Sequence, residues 1–249
     1  MIEITFPDGA SRSYEINSTP FDIANSISEG LSRNVISASF NGNTIETTTQ
    51  LKENGKLIFY TWNEQEGKKA FWHSSAHVLA QVLEELYSGI KLTIGPAISN
   101  GFYYDVDFGN HTMSEKDFPK IEKRMIEISR EKHLFKLKSI SKKEALDFYK
   151  NHKNEYKIEL IENLEDGTIS FCNHDNFTDL CRGGHLPNTG FIKAVKLLSV
   201  AGAYWRADQS KTQLTRVYGI SFPKQKELNE YLELIEEAKK RDHRKLGKQ

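Results

Sequence analysis

His73 and His77 stand four residues apart in His73-Ser74-Ser75-Ala76-His77, and Cys181 and His185 stand four apart in Cys181-Arg182-Gly183-Gly184-His185. Imidazole titrates near neutral pH, and a thiolate is both a nucleophile and a metal ligand. Three chemistries use such a set. Three nitrogens and one sulfur suit a tetrahedral zinc ion, which activates a water at an open position. The imidazoles without metal can orient and deprotonate a water. Cys181 itself is a nucleophile if its thiol pKa is depressed. The zinc-protease arrangement is disfavoured, because Ser74 follows His73 where that motif places its glutamate base. Cys172 stands apart and reads as a small packed residue.

The elements that must position these groups follow from periodicity. A helical pattern from about Ala70 to Tyr87 carries both histidines on one face, with Ala80 and Glu84 below them. Phe71, Val78, Val82 and Leu86 occupy the opposite face, so the core side of the helix is already filled and the plainer reading is two solvent-exposed histidines. For the second pair the plainer reading is a buried cysteine beside a loop histidine in a glycine-containing turn. The joint occurrence of both pairs is more specific than either alone.

Around them the chain divides into three stretches. In residues 1–62, Ile2, Ile4 and Phe6 alternate with polar residues, and Asp8-Gly9 supplies a hairpin turn before Tyr14 and Ile16. Ser18-Thr19-Pro20 opens a helix through Ile23, Ile27 and Leu31, and strands return at Val35–Phe40, at Ile45 after Asn41-Gly42, and at Leu57–Tyr60. That order predicts a sheet wrapped over one helix, a β-grasp. The polar stretch Asn63–Lys69 suits a linker. Residues 63–223 then give the histidine helix, β-like segments over Lys91–Phe108, a charged helix near Glu115–Glu131, a basic strand around His133–Ile140 and a helix opened by the capping box Ser141–Glu144. Residues 156–222 read as strands and loops. Residues 224–249 read as a charged helix with Lys239, Lys240, Arg241, Arg244, Lys245 and Lys248 crowded at its end, which suit the helix C-terminus or a linker toward a further domain.

Composition narrows the function classes. Among 249 residues, 34 Lys plus Arg balance 34 Asp plus Glu, which excludes a wholly basic nucleic-acid coat. Apolar runs are far shorter than the ~20 residues that cross a bilayer, and the N-terminus has no signal-peptide core, so a cytoplasmic protein without membrane partners is expected. Two cysteines do not make a disulfide framework.

The His73/His77 pair and the Cys181/His185 pair resemble the paired motifs shared by the editing domains of threonyl- and alanyl-tRNA synthetases. Ile94-Gly95-Pro96, Gly101-Phe102-Tyr103-Tyr104-Asp105, Gly202-Ala203-Tyr204-Trp205-Arg206 and Arg241-Asp242-His243-Arg244-Lys245-Leu246-Gly247 are similar to the bacterial-type threonyl-tRNA synthetase family. The N-terminal β-grasp resembles its TGS module. The resemblance implies an α+β chain: a small ubiquitin-like TGS domain, a larger α+β editing domain, and a linker helix toward a class II catalytic domain that these residues do not contain. It implies hydrolysis of mischarged seryl-tRNA(Thr) as the reaction, and the serine-carrying acceptor end of that tRNA and the catalytic half as partners. It implies no required metal for editing, although His73, His77, Cys181 and His185 would suit zinc; ATP and a further zinc belong to the missing half. His73, His77, Cys181 and His185 carry over as catalytic residues, with His73 activating or orienting water. Lys157 carries over as a stabiliser of negative charge, Asp179 as a holder of the substrate amine, and Tyr104 as part of the substrate pocket. Gly184 stands where many members have Pro, which is expected to loosen the turn, and Ser75 where a Cys is common, with little effect expected. RNA contact is expected around Lys132–Lys143, Lys193, Lys196, Arg206 and the terminal helix.

A rival reading from another class is a non-catalytic RNA-binding or regulatory module, in which the same four residues hold a structural zinc.

Overall fold

The computed structural model describes residues 1–246, without the side chains of Lys239 and of 242–246. Strands β1 (Ile2–Thr5), β2 (Ser11–Tyr14), β3 (Ser37–Phe40), β4 (Asn43–Ile45) and β5 (Gly55–Tyr60) form one sheet in the order β2-β1-β5-β3-β4. β1 and β5 run parallel at its centre and the other pairs are antiparallel. Helix α1 (Pro20–Ile27) packs Ile23 against Ile2, Ile4, Ala38 and Leu57, which gives the β-grasp its core. The helix predicted to continue through Leu31 is broken at Ser28, whose extended backbone ends α1. The Ser28 hydroxyl then accepts from Leu31 N and caps a second short helix, α2 (Glu29–Asn34).

The linker expected at Asn63–Lys69 is largely helix. Helix α3 spans Gln65–Leu86, starting five residues before the predicted Ala70. Glu64 fixes the entry by accepting from Thr61 N at 2.6 Å and Thr61 Oγ1 at 2.8 Å. Gly67 lies so close to the Thr61 carbonyl that a Cβ there would sit 1.8 Å from its oxygen. Trp62 packs edge-on against Phe71, Trp72 and Phe222, so the joint after β5 is part of the core.

α3 lies on an antiparallel sheet of β12 (Ala194–Tyr204), β13 (Gln213–Phe222), β8 (Gly101–Asp107) and β6 (Lys91–Leu92), with β7 (Ala97–Ile98) also pairing β8. Phe71, Val78, Leu79 and Leu83 meet Phe102, Val106, Val217 and Ile220 in the main core, which α4 (Phe118–Glu131) covers with Ile121, Met125 and Ile128. A smaller antiparallel sheet, β11 (Phe177–Leu180), β10 (Ser170–His174) and β9 (Lys136–Ser139), packs through Ile169 and Phe171 on α5 (Lys142–Asn151) and α6 (Glu155–Glu162). The Ser141–Glu144 capping box that opens α5 forms as predicted.

α6 corrects the reading of residues 156–222 as strands and loops. Tyr156-Lys157-Ile158-Glu159-Leu160-Ile161 alternates apolar and polar through its first five positions, which imitates a strand. The Asn154 side chain accepts from Lys157 N at 3.1 Å and opens a helix instead.

α7 (Gln225–Leu246) ends the described chain, and no described helix is long and apolar enough to cross a membrane. Of the terminal basic cluster, Lys240 is exposed and Arg241 pairs with Glu237 at 2.9 Å. Gly247 and Lys248, and the side chains of Lys239, Arg244 and Lys245, lie outside the described residues.

Candidate active site

α3 presents two imidazoles toward the turn that follows β11. His73 Nε2 lies 2.9 Å from Cys181 Sγ, and Cys181 Sγ lies 3.1 Å from His185 Nε2. The His73 and His185 rings stack at 5.0 Å, and His77 sits 4.6 Å from the one and 5.1 Å from the other. His73 is half-buried, whereas His77, Cys181 and His185 are buried. The division of α3 into a core face and a solvent face is therefore corrected. The opposite face packs on the main sheet, and the histidine face is covered by the small sheet and its turn.

Behind the histidines stands Asp179, which shares a sheet face with Cys172 through their β11–β10 register. Lys157 Nζ on α6 donates to Asp179 Oδ1 at 2.5 Å, and Tyr104 OH on β8 donates to Asp179 Oδ2 at 2.6 Å. Tyr149 OH adds a longer bond to Oδ1 at 3.4 Å. His77 Nδ1 lies 3.2 Å from Asp179 Oδ2 but out of line for a hydrogen bond, and both its ring nitrogens lack a hydrogen-bonding partner. The contact is electrostatic.

The charges follow from this packing. Burial alone would raise the Asp179 carboxyl, but Lys157 and His77 outweigh it and hold it well below the usual carboxylate range. Burial likewise opposes a Cys181 thiolate, yet His73, His77 and His185 together pull its pKa well below the ordinary thiol value. His185 is buried too, and its bonds to cysteine sulfur and to Glu46 overcome that penalty and hold it well above its ordinary pKa. His77 is raised despite burial, by Cys181 first and then by Asp179. Tyr104 is pushed up by burial and by the Asp179 charge, so it remains a donor. The centre sets a sulfur that its surroundings favour as thiolate among three imidazoles, beside the buried Lys157–Asp179 pair.

All seven predicted site residues thus gather at one place: His73, His77, Lys157, Asp179 and Cys181 line an open cavity of 470 Å³, while His185 and Tyr104 are buried behind that lining, so Tyr104 supports the pocket through Asp179 rather than lining it. Gly95 lies at its rim. Its carbonyl is 3.4 Å from His73 Nδ1, and a Cβ on it would strike the Tyr104 ring at 2.2 Å. Two participants had no sequence signal. Tyr149 looks like an ordinary apolar position of α5, and Glu46 lies 139 residues before His185, in the loop after β4. Glu46 ties the turn in which Gly184 stands where many family members have Pro. Gly184 adopts φ +84° and donates its N–H to Glu46 at 3.1 Å, a bond that Pro lacks the hydrogen to make.

One ligand atom from each of His73, His77, Cys181 and His185 lies within 4.8 Å of the others. Bonds of about 2.0–2.3 Å would hold such atoms about 3.5 Å apart around zinc, so the 2.9 and 3.1 Å pairs would have to move outward to admit it. The unpartnered His77 nitrogens and the donor set of three nitrogens and one sulfur both fit that ion.

The basic groups expected to meet RNA are placed unevenly. Lys196 pairs with Glu122 at 3.1 Å and Arg206 with Glu159 at 3.0 Å, while Lys142 donates to the carbonyls of Glu162 and Leu164. Lys136 and Lys138 are exposed on β9, and Lys132 and Lys193 line a second cavity with Arg33 and Lys224.

Residues 2–61 match the TGS domain family, and residues 169–218 match the family described as the threonyl and alanyl tRNA synthetase second additional domain. The whole chain is 66% identical to the threonine–tRNA ligase of Flavobacterium psychrophilum and spans 38% of it. It matches the N-terminal region of threonyl-tRNA synthetase. The corresponding ligase of Flavobacterium johnsoniae is 68% identical with 38% covered, and that of Cytophaga hutchinsonii is 55% identical with 39% covered. The chain therefore spans about two-fifths of the length of these curated relatives. Asp179, Cys181 and His185 fall within the match to the synthetase second additional domain, and Glu46 within the match to TGS. His73, His77, Tyr104 and Lys157 lie between the two matched segments.

Proposed function

We propose that this chain is the post-transfer editing region of a threonyl-tRNA synthetase and hydrolyses the ester of seryl-tRNA(Thr) to serine and free tRNA. The observation that carries the reading is the convergence of His73, His77, Cys181, Lys157 and Asp179 on one open cavity, with His185 and Tyr104 bonded to Cys181 and Asp179 behind it, in a chain with a match to the synthetase second additional domain. In this reading residues 1–62 are the TGS domain, 63–223 the editing domain, and 224–249 a linker helix. The whole protein would work in the cytoplasm and join threonine to tRNA(Thr) with ATP, through a catalytic half that carries its own zinc.

The need for a second site is energetic. Serine lacks one methyl group of threonine, and a methyl contact discriminates by only ~1–3 kcal/mol, so a synthetic site admits some serine. A cavity that accepts the smaller side chain and refuses the larger removes the error.

Hydrolysis requires one water. Its oxygen attacks the ester carbonyl while its proton passes to an imidazole; the tetrahedral intermediate then collapses, the carbon–oxygen bond to the ribose breaks, and that oxygen takes up the proton. His73 is the best placed imidazole for that transfer, being half-buried at the cavity edge with Cys181 Sγ 2.9 Å from its Nε2. Lys157 Nζ lines the cavity as an ammonium paired with Asp179, and supplies positive charge near the developing oxyanion. Asp179 already accepts from Lys157 and Tyr104, so its hold on a substrate amine would act through the remaining lone pairs. The acceptor end reaches such a site as a single strand, with Lys132 and Lys193 among the cations available to its phosphates. The reading requires no metal. Should zinc be present, His73, His77, Cys181 and His185 would hold it, and it would supply Lewis acidity to a bound water.

The compactness of that four-residue donor set also favours a second reading, a structural zinc in a non-catalytic RNA-binding or regulatory module. The test is release of labelled serine from serine-charged threonine tRNA, with threonine-charged tRNA as the control. Selective serine release supports editing. Equal treatment of both, or release of neither even with the catalytic half added, contradicts it.

A further inference from the structure

We propose that Glu46, in the loop after β4 of the TGS-type domain, is a positioning residue for the hydrolytic site, so that the site is built jointly by the two domains. This rests on the editing reading for its kinetic consequence but not for its structural one.

Glu46 is 7% exposed, yet it stands in the loop that follows β4, outside the fold that carries the histidines and Cys181. Its side chain turns entirely toward the other domain. Oε1 accepts from Gly184 N at 3.1 Å and from His185 Nδ1 at 2.9 Å, and Oε2 accepts from His185 N at 3.2 Å. Its own loop is fixed by backbone bonds, Thr49 N to the Glu46 carbonyl and Phe21 N to the Thr47 carbonyl. A buried carboxylate is costly without partners, and the Glu46 carboxylate finds them in the Cys181–His185 turn.

The consequence for the site is specific. Because Glu46 accepts the Nδ1 hydrogen, His185 Nε2 is left facing Cys181 Sγ at 3.1 Å. Carboxylate, imidazole and thiol are thereby in series, the arrangement in which a third group orients an imidazole against a sulfur or oxygen. The two backbone N–H bonds hold the same turn. Gly184 can offer its N–H in that direction because it adopts φ +84°, which side-chain-bearing residues rarely do. One side chain thus fixes both the ring and the main chain beneath it.

The test uses the full chain with Glu46→Gln, which keeps the size of the side chain but replaces one acceptor oxygen by a donor amide, and Glu46→Ala. Three properties are read: thermal unfolding, kcat and KM for serine release, and the imidazole nitrogen signals of His185 in long-range proton–nitrogen NMR spectra. Glu46→Gln should remain folded, lower kcat by about 10–100-fold with KM changed less than about threefold, and shift the His185 nitrogens. Wild-type kcat together with unmoved His185 signals in folded Glu46→Gln overturns the proposal. So does a loss of activity that merely tracks unfolding while the folded fraction keeps its His185 signals. If the wild-type protein itself releases no serine, the editing reading fails, and the His185 signals still decide whether Glu46 sets the ring.

Discussion

Lys157 Nζ lies 2.5 Å from Asp179 Oδ1, and each side chain is under 5% exposed. A pair so deeply buried is worth little as a stabiliser over apolar residues of the same size, but breaking it leaves one charge stranded. Both partners face the cavity, so function is the better account of why charges stand there.

Asp179→Asn should therefore destabilise the fold by roughly 3–5 kcal/mol, and Lys157→Met by a similar amount. The double substitution should recover part of the loss, because neither charge is then unpaired. Denaturant unfolding of the three variants checks this. Strict additivity of the two single losses would contradict a coupled pair.

The two cysteines should differ sharply toward an alkylating agent. Cys181 is pulled below its ordinary pKa by three imidazoles, whereas burial pushes the Cys172 thiol up to about 11, with His185 only partly offsetting it. At pH 7 iodoacetamide should label Cys181 at least tenfold faster than Cys172, read by peptide mass spectrometry. Equal rates, or labelling of Cys172 first, would contradict the thiolate assignment.

His174 is buried between Phe135 and Phe177, and neither ring nitrogen has a partner. Burial, with the neighbouring His77, His185 and His133, lowers its pKa to about 3. The unfolded chain protonates this residue near pH 6.5 and the folded chain only near 3, so between those values the unfolded state binds more protons. Stability must then rise with pH across that window, by up to roughly 4 kcal/mol from this group, and be fully restored above pH 6.5. His174→Phe should flatten that slope in unfolding experiments from pH 4 to pH 7. An unchanged slope would show that other groups set it.

Much of this was legible in the chain. The β-grasp followed from alternation, the turns at Asp8-Gly9 and Asn41-Gly42, and one helical stretch, because each signal is local. The histidine pair was legible for the same reason, since a spacing of four lies on one helix face. The start of α3 was not, because Gln65, Glu66, Lys68 and Lys69 open it with polar side chains and composition there imitates a linker. α6 was hidden by an alternation that fits two periods, and only the Asn154 cap resolves it. Glu46 was invisible for a different reason: an acidic residue after a short edge strand has no local signature, and its meaning comes wholly from residues 184 and 185. The pairing of Lys196 and Arg206 with glutamates was equally long-range.

The most direct test of the central claim is the rate of labelled serine release from serine-charged threonine tRNA by the wild-type chain and by His73→Ala, both with a chelator present. His73 is half-buried, so its removal should cost little stability while lowering the rate by about 10²-fold or more. A folded His73→Ala variant that hydrolyses the ester at the wild-type rate would contradict the account. So would a variant whose second domain unfolds, because that is the behaviour of a structural zinc site.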